Sequence, residues 1–207
     1  MKLVIFGATG SIGRILVDQA LNQGHHVTAF SRKPSTIGIT DEKLALFEGD
    51  VFDEQAVSQA ITGQDAVFIA LGAGRKGDVR AKGTWNIIAA MKQQGVSRLI
   101  CQTTLGAGDS WPALNFFWKH IMFNLLLKAA HIDHELQEQY IVNSDLDWTI
   151  IRPSAFTNEP TGRPFRKGFN TSEGGLKFKI PRVEVAAFMI EQLTDNTYLL
   201  QTPAISY

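Results

Sequence analysis

The chain has 207 residues, 44% hydrophobic and 19% charged, enough to bury a two-layered core without disulfides or metals and too apolar for wholesale disorder. Its 20 Lys and Arg balance 20 Asp and Glu, and with no basic block there is no electrostatic reason to expect nucleic acid as a main partner. The one cysteine, Cys101, excludes an intrachain disulfide framework and suits a reducing cytoplasm.

The N-terminus, Met1-Lys-Leu-Val-Ile-Phe, runs straight into a strand and lacks a signal-peptide apolar region with a cleavage site. From there to about residue 152, short apolar runs alternate with helical patterns. Strands are predicted at 2–6, 27–30, 44–48, 66–70, 98–102 and 148–151, and helices at 12–23, 54–60, 80–94 and within 113–143. Most strand runs are continuously apolar, as in a parallel sheet buried on both faces. Gly24 and Gly95 stand where a left-handed residue ends a helix. The alternation predicts right-handed βαβ crossovers and an α/β doubly wound parallel sheet.

The stretch 111–130 is the most apolar of the chain, but Lys119, His120, Asn124 and Lys128 interrupt it, so it is not a membrane span and no membrane partner is expected. After Pro153 the periodicity fades. Residues 153–175, with Pro160, Pro164 and several glycines, read as a long irregular loop; a strand at 177–180, a helix at 183–193 and a closing strand at 198–207 follow. The whole chain, 1–207, reads as one domain, with about 153–207 forming a small substrate-side C-terminal lobe.

Directly after the first strand comes Gly7-Ala-Thr-Gly10-Ser-Ile-Gly13, followed by an amphipathic run. Strand, glycine turn and helix in that order form the context of a dinucleotide-binding site. Gly7 permits the turn, Gly10 admits a pyrophosphate to the backbone, and Gly13 permits close packing of helix on sheet. Thr9, Ser11 and Ile12 complete the turn, and the helix N-terminus offers free N–H groups to the phosphates.

This spacing resembles the fingerprint of the extended and atypical short-chain dehydrogenases/reductases, whose NAD(P)-binding domain is a Rossmann fold. The NmrA-like and biliverdin/flavin reductase groups are the most similar. Phe47-Glu-Gly-Asp50-Val51 resembles the family's adenine-contacting segment, and Ala70-Leu71-Gly72 its cofactor-lining turn. Gly83-Thr-Trp-Asn-Ile-Ile-Ala-Ala-Met91 resembles the next helix, and Asp147-Trp-Thr-Ile-Ile-Arg-Pro153 the sixth strand, which implies that Pro153 lies at the cofactor. Ile180-Pro-Arg-Val-Glu-Val-Ala-Ala-Phe188 is similar to the late helix, although Pro181-Arg-Val-Glu184 stands where many relatives carry Ser-Arg-Ala-Asp.

An acid about 20 residues past the glycine turn would bind the ribose 2′-hydroxyl of NAD. Here the second strand ends in Phe30-Ser31-Arg32-Lys33, so the 2′-phosphate of NADP(H) is expected, gripped by the planar fork of Arg32 and the charge of Lys33.

The Tyr-x-x-x-Lys pair of many family members is absent. Four residues after Tyr140 stands Ser144, and the lysine slot falls near Asp133 or His134. The catalytic candidates are therefore Thr103, at the end of the fifth strand, and His134, as an acid or a cofactor contact. His131, His134, Glu135 and Glu138 share neighbouring helical turns, but they match no zinc helix signature, and no metal is expected.

Trp111, Phe116, Phe117, Trp118, Met122 and Phe123 crowd the start of the long helix, while Asn115, Lys119, Asn124 and Lys128, spaced four, five and four apart, form its wet stripe. This apolar face fits core packing, an aromatic wall over the nicotinamide, or a homo-oligomer contact. Together these features predict an NADPH-dependent oxidoreductase with a planar small-molecule substrate such as a quinone or flavin. The alternative is a dinucleotide-sensing regulatory protein without turnover, in the manner of some NmrA-like relatives.

Overall fold

The computed structural model describes residues 1–74, 77–159, 162, 164–169 and 175–207, so Pro160 of the expected loop lies outside the described residues. In chain order β1 (Lys2–Phe6), α1 (Gly13–Asn22), β2 (His26–Ser31), β3 (Leu44–Glu48), α2 (Glu54–Ile61), β4 (Ala66–Ile69), α3 (Val79–Gln94) and β5 (Arg98–Gln102) alternate as predicted. Then come α4 (Lys128–Val142), β6 (Asp147–Pro153), β7 (Ala155–Thr157), β8 (Arg166–Lys167), β9 (Lys179–Pro181), α5 (Arg182–Glu191) and β10 (Ala204–Ser206).

Among the described residues, eight strands form one sheet in the order β3-β2-β1-β4-β5-β6-β10-β8, and β7 pairs with β9 apart from it. The ladders are parallel except that of β8 with β10, which is antiparallel. The order reverses between β1 and β4, which opens a crevice at the carboxyl ends of those strands. This is the doubly wound Rossmann fold.

Side-chain alternation along β1 builds both layers at once. Leu3 and Ile5 pack with Leu16 and Val17 of α1 and Phe188 and Met189 of α5. Val4 and Phe6 join Val57 of α2, Ile87 and Met91 of α3, and Trp148 of β6. The run 44–48 is the exception among the apolar strands, because β3 is a sheet edge and leaves Leu46 48% exposed. Helix ends follow local chemistry. Asp53 caps α2 by accepting the backbone N–H groups of Gln55 and Ala56, each at 3.0 Å, and Gly95 ends α3 at φ +71°.

Three expectations need correction. The helix within 113–143 is not one rod. It is a 3₁₀ turn (Gly108–Ala113), a π-helix (Phe117–Leu126) and then α4, with Leu127 N–H bonded to Met122 O at 2.7 Å. Pro112 has no N–H for a continuous helix, and the Asn115 side chain restarts the chain by accepting Trp118 N–H at 3.1 Å. The irregular loop 153–175 contains β7 and β8. The closing strand 198–207 shrinks to β10, since Leu200 takes φ +56° and Pro203 offers no N–H. Within 153–207, β10 and β8 extend the main sheet and α5 packs into the core beside α1, whereas β7 and β9 form the separate pair.

Candidate functional site

At the switch point the backbone comes off β1 into a turn held by packing. Gly7 has φ +84°, and a Cβ there would lie 2.4 Å from Ala70 O. A Cβ on Gly13 would lie 2.1 Å from Gly7 O. These two glycines are therefore demanded by the protein's own close approaches. Gly10 is different: a Cβ would meet Gly7 O at 3.1 Å and Ala70 O only at 3.8 Å. Arg14 locks the turn from outside, donating from Nε to Thr9 O at 3.2 Å and from Nη2 to Thr36 O at 2.5 Å.

The turn floors a cavity of about 960 Å³ that runs along the carboxyl ends of the strands. Gly7, Thr9, Gly10, Ser11 and Ile12 line it, while Gly13 sits beneath as the packing glycine. Arg32 and Lys33 rim one end, both exposed, and Arg32 makes no hydrogen bond or ion pair among the described residues. Beside them lie Asp50 and Val51. Asp50 Oδ1 accepts Phe52 N–H at 3.0 Å, and Val51 O is tied to α3 by Asn86 Nδ2 at 2.9 Å. Ala70, Leu71 and Gly72 form the middle of the wall, with Thr103, His134 and Pro153 further along.

The catalytic candidates are in the cavity wall but chemically constrained. Thr103 is buried, and its hydroxyl donates to Glu138 Oε1 at 2.6 Å. Glu138 in turn accepts Arg152 Nε at 3.0 Å and Nη2 at 2.6 Å, and Arg152 Nη1 reaches Asp109. Burial works to lower the Arg152 pKa, but the hydrogen bonds and charges of Glu138 and Asp109 outweigh it and raise it. The hydroxyl proton of Thr103 is thus committed to a buried carboxylate and is not available to an alkoxide in the cavity.

His134 is buried, and its Nδ1 has no hydrogen-bond partner. Burial, with the charge of Arg80, lowers its pKa from 6.5 to about 3 against an opposing interaction with Gln137. It is a neutral imidazole at physiological pH and cannot serve as an imidazolium acid.

The other helix groups separate. His131 Nε2 lies 2.9 Å from Gly106 O, and Glu138 is held by Thr103 and Arg152. Tyr140 packs edge-on against Trp85, ring centroids 5.0 Å apart, outside the cavity lining. Cys101 is buried between the sheet and the helices on one of its faces, and that burial pushes its thiol pKa well up.

Several residues of the site were not expected. Asp133 of α4, which does not itself line the cavity, accepts the N–H groups of Arg80 and Ala81 at 3.1 and 2.9 Å, fixing the start of α3. Gln102, Ser154 and Phe178 line the cavity, Phe178 at φ +53°. Of the aromatic segment, Trp118, Met122 and Phe123 face inward, whereas Phe116 and Phe117 are 73% and 50% exposed and do not line the cavity.

A glycine turn at the β1/β4 switch point, with an open backbone at Gly10 and an unpaired arginine after β2, fits a nicotinamide dinucleotide. The chain belongs to the NAD(P)H-binding family, which matches residues 7–196. It is 28% identical to a UPF0659 protein of Saccharomyces cerevisiae, over 93% of this chain and 87% of that one. Three mycobacterial proteins are 33% identical over 70% of this chain, but the chain spans only 19% of their length. Among solved structures it resembles a Veillonella parvula short-chain dehydrogenase/reductase in complex with NADP (TM-score 0.84, 18% identity, 100% of this chain and 94% of that one). It also resembles ChuY, an anaerobillin reductase of Escherichia coli O157:H7 (TM-score 0.80, 23% identity, 99% and 96%). No helix among the described residues is long and apolar enough to cross a membrane.

Proposed function

We propose that the protein is an NADPH-dependent oxidoreductase that passes hydride to a planar acceptor such as a quinone or a flavin. The observation that carries this reading is the contrast between the two halves of the cavity. One half is polar backbone and glycine; the other is walled by Leu114, Trp118, Met122, Phe123, Phe156 and Phe178, and of the two catalytic candidates beside it Thr103 donates to Glu138 and His134 is neutral.

In this reading Gly7, Thr9, Gly10, Ser11 and Ile12 hold the pyrophosphate, with Gly13 supporting them from below. Asp50 and Val51 flank the adenosine, Arg32 and Lys33 take the 2′-phosphate, and Ala70, Leu71, Gly72 and Pro153 line the nicotinamide half. Bound NADPH supplies the hydride. A ketone receiving it would develop alkoxide charge and need a fixed donor at that oxygen. Thr103 donates to Glu138 instead, and His134 is neutral. A quinone spreads the incoming charge over its ring, and with one further proton from water becomes the hydroquinone. What it asks of the protein is a parallel stack, which flat aromatic side chains favour. Residues 153–207 act as the substrate-side part through β7, β9 and Phe178. The reductase activity named for one structural neighbour and the NADP held by another support the reading.

The test is steady-state NADPH oxidation against quinones, flavins and simple ketones. Turnover is expected with the first two classes. Brisk turnover of a ketone, lost in Tyr140→Phe, would overturn the reading, and tight NADPH binding without turnover of any acceptor would favour a dinucleotide sensor. For the cofactor, NADPH is expected to bind more tightly than NADH, and Arg32→Ala to weaken NADPH selectively by about 1.5–3 kcal/mol. Equal affinities of the unmutated protein for the two, by calorimetry, would refute the preference.

A further inference from the structure

Among the described residues, each charge on the acceptor side of the cavity is balanced or absent. Leu105, Leu114, Trp118, Met122, Phe123 and Phe178 supply its surface. Among the described residues, the cationic side chains lining the cavity are Arg32, Lys33 and Arg80. Arg32 and Lys33 stand at the end of β2, at the opposite end from the apolar wall. Arg80 is buried, with Nη1 3.3 Å from Asp133 Oδ2 and Nη2 donating to Gly74 O at 3.3 Å. Its charge is answered by an equally buried carboxylate. His134 carries no charge, since burial holds its pKa at about 3. The polar residues Ser154 and His134 that line this side are neutral, and among the described residues the buried Ser154 Oγ and His134 Nδ1 have no hydrogen-bond partner.

An anion placed against such a surface gives up its hydration and gains no counter-charge, a cost that grows as water is excluded. A ring carbonyl or ring N–H loses far less, and neutral donors and acceptors satisfy it. Resting on the proposed hydride transfer to a planar ring, we infer that the acceptor is uncharged. The site takes a neutral, lipophilic quinone-type ring and discriminates against planar acceptors that carry a carboxylate, sulfonate or phosphate close to the ring.

Binding is measured apart from turnover. In the NADP-loaded protein, quenching of tryptophan fluorescence compares menadione with menadione sulfonate, which share one ring system, and riboflavin with its 5′-phosphate. The uncharged member of each pair is expected to bind at least about tenfold more tightly. Met122→Lys, which sets a cation into the half-buried wall, is expected to narrow or invert the preference. Equal affinity, tighter binding of the anion, or no binding of either member overturns the inference in the unmutated protein, whatever the variant does. A preference for the uncharged members without any NADPH oxidation supports the inference about the site and refutes only the hydride transfer.

Discussion

At position 134 an imidazole is taken out of water beside the Arg80 guanidinium, and proton binding follows. Between pH 6.5 and about 3 the unfolded chain takes up a proton at His134 that the folded chain refuses. The folded state therefore loses stability as pH falls through that window and keeps it above. His134→Gln is expected to remove from this acid sensitivity a slope of up to about 1.4 kcal/mol per pH unit, read by urea unfolding of both proteins at about pH 5 and about pH 7. An unchanged difference between the two pH values would show that His134 titrates normally. At this scale the sequence was most legible where backbone geometry acts through near neighbours. Gly7, Gly10 and Gly13 announce themselves by spacing, and Arg32 by its place just after a strand. Thr103 was legible as a wall residue but its chemistry was not, because its partner Glu138 stands 35 positions away and is held by Arg152 from a third element. Read from helical spacing alone, Glu138 belonged with His131 and His134. Packing of α4 against β5 and β6 turned it elsewhere.

Among elements, the glycine turn and the π-helix make opposite demands on substitution. Gly13→Ala would drive a Cβ into Gly7 O and is expected to cost more than about 3 kcal/mol of stability, whereas Gly10→Val is expected to abolish dinucleotide binding in a folded protein. Thermal melts with calorimetry separate the two, and a folded Gly10→Val that retains affinity would place the phosphates elsewhere. Trp118, Met122 and Phe123 of the π-helix and Leu127, which caps it, all line the cavity. Positions 118 and 127 are nine residues apart, which in an α-helix of about 3.6 residues per turn would set them on opposite sides. Bonding to the fifth residue along widens the turn and keeps both on the inner face. Hence Trp118→Ala is expected to raise the KM for a quinone severalfold, while Phe117→Ala, on the exposed side, leaves it unchanged in the same steady-state assay. The signal was present in the sequence. Asn115, Lys119, Asn124 and Lys128 recur at an average spacing above four, too long for an α-helical stripe, and the overall apolarity of the run masked it.

For the molecule as a whole, the cavity joins elements distant in sequence: the turn after β1, the aromatic segment between β5 and α4, and the residues around β7 and β9. A ligand spanning them favours the folded state as a unit, so NADPH at about 100 times its Kd is expected to add about 2.7 kcal/mol and raise the Tm by roughly 5–10 °C. A melt that does not move at saturating NADPH would mean that the folded chain does not bind it. The doubly wound sheet was legible because each βαβ unit declares itself locally. The antiparallel β8 was not, and β10 was legible only as part of a longer strand, since their pairing depends on partners far along the chain and on the backbone turn at Leu200. The two halves of the cavity are also built from different material: the half at the glycine turn mainly from main-chain turns fixed by packing, the apolar half from side chains whose facing depends on how the π-helix is wound. Loss of a single residue from that stretch would tighten it toward α-helical winding and swing Leu127 away from Trp118 without changing the identity of either. Under the proposed function, descendants of this chain would acquire a new acceptor by changing the length of one short segment, while inheriting the glycine-turn half untouched.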